Sequence, residues 1–113
     1  MHNAQLSAQD LLTGRVRVEK VELPVRGGYI YVRTLSVAEV LSRARAEGDD
    51  VRDAIRAKIY DYAANEHGER LFTWEQAAEA LDTLAMADVS AIIEAGNRLN
   101  AVDAAGVDAA KKD

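Results

Sequence analysis

Val21-Glu-Leu-Pro24-Val-Arg-Gly27-Gly28-Tyr-Ile-Tyr-Val32-Arg-Thr-Leu-Ser36-Val-Ala-Glu39-Val-Leu41 contains the change of period that decides the fold. Before Ser36, apolar residues alternate as Val21, Leu23, Val25 and then Ile30, Val32, with Tyr29, Tyr31 and Arg33 on the other side. That is the period of a strand. Gly27 and Gly28 tolerate the positive φ angles of a tight turn, so residues 21–25 and 29–35 are expected to pair antiparallel around Arg26, Gly27 and Gly28. Val16 and Val18 also alternate, but the pattern slips before Val21, which reads as a bulge or as a separate piece over 15–19. Pro24 cannot donate a ladder hydrogen bond, which puts its strand at an edge or near its end.

From Ser36 the spacing turns helical. Ser36 and Glu39 have the spacing of a capping box, and Val37, Val40, Leu41 and Ala44 then fall on one face. Asp49 and Asp50 break this segment and cap the next, whose Val51, Ile55, Ile59 and Tyr62 share a face. A polar loop over 65–70 surrounds Gly68. Thr73 and Gln76 form a second capping box ahead of Trp74, Ala77, Ala78, Leu81 and Leu84, with Leu71 and Phe72 placed to staple back on the helix. Asp88 is expected to cap a last helix carrying Val89, Ile92, Ile93, Gly96 and Leu99. The fold class is therefore α+β, mainly α: an N-terminal β-hairpin followed by a bundle of about four short helices. The expected organisation is an N-terminal arm over 1–14, with a short turn of helix at 7–13, one hairpin-plus-helical domain over 15–101, and a flexible tail over 102–113.

Composition narrows the function classes. The 113 residues suit one domain, and 49% hydrophobic with 29% charged residues suit a globular chain. Its 14 Lys and Arg against 19 Asp and Glu give −5, divided as +2 through Leu35 and −7 beyond. That balance argues against nucleic acid and against an anionic membrane surface, since both need clustered cations. The absence of cysteine removes disulfides, thiolate metal sites and cysteine nucleophiles. No apolar run approaches the ~20 residues of a membrane span, and residues 1–10 lack the pattern of a secretory signal. The reading is a cytoplasmic protein.

Catalytic patterns are absent. Gly27-Gly28 has no third glycine leading into a helix, so it reads as a turn rather than a dinucleotide loop. His2 and His67 have no second histidine at helical spacing, and Glu66, His67 and Glu69 are better explained as a solvated loop than as a metal site. Ser36 reads as a cap and Ser42 and Ser90 as helix-surface residues. No enzyme, cofactor or metal is expected. Arg43, Arg45, Arg52 and Arg56 alternate in sequence with acids, the pattern of a solvated mixed-charge face, whereas residues 73–100 hold five acids and one arginine. The candidate partner-binding residues are Tyr29, Tyr31 and Arg33, in the period of one strand face, with Phe72 and Trp74 second.

Taken in order along the chain, weaker motifs add up. Ser7-Ala-Gln-Asp10-Leu-Leu12, Val21-Glu-Leu-Pro24, Gly27-Gly28 and Val32-Arg-Thr-Leu-Ser36 with Glu39 resemble the front half of the tail assembly chaperones of long-tailed bacteriophages. His67-Gly-Glu-Arg-Leu-Phe-Thr73, a helix, then Ile92, Ile93 and Leu99-Asn100 are similar to the back half, with His67 where many relatives carry an aspartate. The resemblance spans residues 7–100. It implies a noncatalytic chaperone that binds the tape measure protein, brings in tail tube protein, acts in the host cytoplasm and is absent from the mature virion. It also implies a longer frameshifted form of the chain as a partner, and Lys111-Lys112 fits a slippery run of adenines. Arm and body of opposite sign would favour homo-oligomer formation. The alternative is a small structural or connector protein of the phage tail; a nucleic-acid-binding regulator is disfavoured by charge.

Overall fold

The computed structural model describes residues 5–13, 16–46 and 50–101, with backbone only across 42–46. The order is α1 (Ala8–Leu12), β1 (Val18–Glu22), β2 (Tyr29–Arg33), α2 (Val37–Ala46), α3 (Val51–Tyr62), β3 (Ala63–Ala64), α4 (Trp74–Thr83) and α5 (Met86–Leu99). This is an α+β fold, mainly α, with an antiparallel sheet in the order β1-β2-β3. The tail at 102–113 lies outside the described residues.

The hairpin forms three residues earlier on its first arm than the alternation suggested. Val18 pairs with Arg33 and Glu22 with Tyr29 in one unbroken register, so there is neither a bulge nor a separate piece before Val21. Leu23 closes the ladder by donating its amide to Gly28 and accepting from Gly27, and Pro24, Val25 and Arg26 form the turn. Gly27 and Gly28 sit at φ of 80° and 90°. The ladder ends there because Pro24 has no N–H, while the amides of Val25 and Arg26 donate to Asp88 at 2.8 and 2.9 Å. Asp88 is therefore not the cap of the last helix. Ala85 occupies that position without a side-chain hydrogen bond, and Asp88 lies buried in the first turn of α5.

The two-residue strand β3 was not expected. Its Ala63 and Ala64 are fully buried and pair with Val32 and Tyr31, and Ala64 also bridges to Arg70. Small side chains let the backbone enter the sheet directly from α3. Beneath the sheet, Val21, Leu23, Val32, Tyr62, Ile92 and Ala95 form one buried cluster. Ile59, Ala77, Ala80 and Val89 form a second between α3, α4 and α5, and Leu84 packs against both. Each cluster mixes alanine with branched residues, a lean core whose fit depends on close helix approach.

The capping boxes hold. Ser36 and Glu39, and Thr73 and Gln76, exchange both hydrogen bonds, Asp50 caps α3 through the Arg52 amide, and Ser7 with Asp10 closes a third box at α1. Phe72 packs on the second cluster with Ala77, as a staple does. The expected face of α3 is buried at Ile59 and Tyr62, with only Val51 of its four residues exposed, whereas the described side chains of α2, residues 37–41, join neither cluster.

Candidate functional site

Glu39 is the residue around which the surface is organised. One of its carboxylate oxygens accepts from the Ser36 amide at 2.8 Å; the other accepts from Arg33 Nη1 at 3.0 Å and Arg70 Nη2 at 2.8 Å. Arg70 Nη2 also reaches the buried Asp61 at 3.2 Å, and its guanidinium lies 4.5 Å from the Tyr60 ring centroid. Arg33 donates from Nε to the Gly68 carbonyl at 3.0 Å. Nearby, Asn100 accepts from the Leu35 amide at 2.8 Å and donates to the Arg33 carbonyl at 3.1 Å. The front motif (Arg33, Leu35, Ser36, Glu39), the loop motif (Gly68, Arg70) and the end motif (Asn100) are thus one hydrogen-bonded assembly.

That assembly fixes how α2 sits. At 3.6 residues per turn Val37 and Leu41 lie about 160° around α2 from Glu39, and Val40 about 100°. A surface helix ordinarily docks by its apolar stripe. Here Glu39 is clamped to the body, and the described apolar side chains of α2 face solvent, with Val37 76%, Val40 44% and Leu41 60% exposed. Leu6, Leu11 and Leu12 around α1 are exposed as well.

Burial is the largest single influence on Glu39 and pushes its pKa up. The Ser36 amide and the Arg33 and Arg70 guanidinium groups together outweigh it, holding the carboxyl down at about 2 against the usual 4.5. A depressed carboxyl stabilises the fold above its unfolded-state pKa, and this stability disappears as pH falls through the folded value. The contribution is therefore complete above about pH 5 and lost between pH 4.5 and about 2. Glu39→Gln is expected to lower stability at pH 7 by about 1 kcal/mol, given the partial solvent screening, and to flatten the loss over that interval. Urea titrations at several pH values would measure it; parallel curves for the two proteins would contradict the assignment.

The candidate partner-binding residues are divided by the structure. Tyr29 is exposed and meets the half-buried Tyr31 edge to face at 5.9 Å, with Lys20 Nζ 4.1 Å from the Tyr29 ring centroid. Arg33 shares their strand period but is buried in the Glu39 assembly, so the expected open trio is a pair. Trp74 packs edge to face on Tyr60 at 5.4 Å, under the Arg56 guanidinium, which also donates to the Trp74 carbonyl at 3.0 Å. Phe72 and Trp74 are thus half-buried anchors. The missed surface is that of α2, whose apolar face was legible in the period of Val37, Val40 and Leu41 but whose Glu39 was read as half of a capping box and not as the residue that turns that face outward.

Of the mixed-charge face, Arg52 pairs with Asp82 at 3.2 Å. His67 lies 3.6 Å from Glu66 in the exposed loop, and among the described residues no group of three or more His, Cys, Asp or Glu is placed to hold a metal ion. No described helix is long and apolar enough to cross a membrane. The chain matches no protein-family model, no curated protein and no solved structure.

Proposed function

We propose that the protein is a noncatalytic tail assembly chaperone of a long-tailed bacteriophage, which binds the tape measure protein in the host cytoplasm, assists assembly of the tail tube and leaves before the virion is complete. The observation that carries this reading is α2, held by Glu39 so that Val37, Val40 and Leu41 face outward. A long apolar helix needs such a surface to stay in solution, and covering each of the three side chains contributes on the order of 1.5 kcal/mol before ordering costs. Many weak contacts along one long partner add through effective concentration and still release one by one. The ordered motifs over 7–100 support the same reading.

Coexpression with the tape measure protein tests it. The expected result is a rise in soluble tape measure protein and a copurifying complex. Changing Val37, Val40 and Leu41 together to serine is expected to abolish both, while stability shifts by no more than about 0.5 kcal/mol because these side chains are already exposed. No gain in solubility and no complex would defeat the proposal. Recovery of the chain from purified particles would favour a structural or connector protein of the tail instead.

A further inference from the structure

A cleft of about 220 Å³ runs along α4, lined by Phe72, Gln76, Glu79, Ala80, Thr83 and Leu84. Its α4 positions are spaced by three, four and seven residues, so they form one stripe about 10 Å long down the helix. Ala80 supplies the low point, with Phe72 and Leu84 as half-buried apolar walls. The space is smaller than the roughly 300 Å³ where small-molecule sites begin, but larger than a cavity of about 150 Å³ that admits benzene, so it suits one apolar side chain.

The charge around the cleft has one sign. Glu75 and Glu79, four residues apart, lie along this part of α4 and are exposed, and neither makes an ion pair among the described residues. The nearby cations are engaged elsewhere: Arg52 by Asp82, and Arg56 by the Trp74 carbonyl and ring. An extended peptide would find no strand edge here, because α4 satisfies its backbone internally, whereas a helix brings its own hydrogen bonds and needs only a stripe to pack on.

We infer that the α4 cleft receives a cationic amphipathic helix of another protein, one apolar side chain entering between Phe72, Ala80 and Leu84 while lysine or arginine meets Glu75 and Glu79. This surface is separate from the α2 face, and the inference does not depend on the chaperone reading.

The test uses the full chain and three synthetic 18-residue peptides: a leucine-lysine amphipathic helix, the same helix with glutamate for lysine, and a scramble of the first with no apolar face. Fluorescence anisotropy gives affinity, and amide chemical shifts locate the contact. The lysine helix is expected to bind, shifting Phe72, Ala80 and Leu84, and the glutamate helix and the scramble are each expected to bind at least tenfold less well. Glu75→Lys with Glu79→Lys is expected to weaken it at least tenfold, as is Thr83→Phe, which obstructs the cleft from an exposed position without changing charge; circular dichroism checks that both variants fold. Equal binding of helix and scramble, an unchanged affinity in both variants, or shifts centred on Val37, Val40 and Leu41 would overturn the inference. So would a dimer of the chain in sedimentation that the charge reversal dissociates, since the occupant would then be a second copy.

Discussion

Gly96→Ala is expected to destabilise the protein by about 3 kcal/mol, although alanine in a helix interior is ordinarily better than glycine by about 1 kcal/mol. The reason is the approach of α5 to α3. A Cβ at position 96 would lie closer than 3.0 Å to three atoms of the Tyr62 ring. Tyr62 cannot give way, because it is 1% exposed and its hydroxyl donates to Asn97 Oδ1 at 2.6 Å while accepting from Lys58 Nζ at 3.2 Å. Overpacking of this kind forces a backbone shift, and the helix pair must separate at the centre of the first cluster. The measurement is urea unfolding of Gly96→Ala, Tyr62→Ala and the double variant. Tyr62→Ala alone is expected to cost about 3 kcal/mol or more through its cavity. In the double variant the methyl group enters that cavity, so the two costs should fall well short of their sum. Strict additivity, or a stabilised Gly96→Ala, would rule out the contact as the cause.

Asp88→Ala is expected to cost about 3 kcal/mol, again a large fraction of the stability of a small domain. The carboxylate is 1% exposed and accepts from the Val25 and Arg26 amides, 63 and 62 residues away. Hydrogen bonds to a charged acceptor contribute roughly 1.5–3 kcal/mol each, and water at the exposed turn recovers part of what alanine removes. Asp88→Asn is expected to do little better: one amide oxygen accepts one bond, and its NH₂ then faces a second N–H donor. Hydrogen exchange should show the Val25 and Arg26 amides losing protection in both variants while those of α3 follow the global change. A cost below about 0.5 kcal/mol for Asp88→Ala would show that the turn does not depend on it.

Legibility in the sequence followed the range of the interactions. The capping boxes at Ser36 and Thr73 and the cap at Asp50 were readable because each is completed within three residues. The hairpin was readable in kind from Gly27-Gly28, but its first arm was placed too late. Val25 keeps the alternation, yet its amide is taken by Asp88 from the far end of the chain. The candidate site divided in the same way. Tyr29 and Tyr31 share a face by period alone, whereas Arg33 leaves it because Gly68 and Glu39 draw its guanidinium inward.

By itself, then, the sequence determined the α+β class, the order of the principal elements and the ends of those whose caps are local, because hydrophobic period and capping are properties of neighbours in the chain. Only the tertiary structure decided which faces are used. An amphipathic pattern states that α2 has two sides, not which side meets the body, and Glu39 reverses the ordinary choice through Arg33 and Arg70, six and 31 residues away. Likewise the roles of Asp88, Gly96 and Ala63-Ala64 exist only when distant segments touch. The charge of a carboxylate, the missing side chain of a glycine and the smallness of an alanine have no partner in the local sequence.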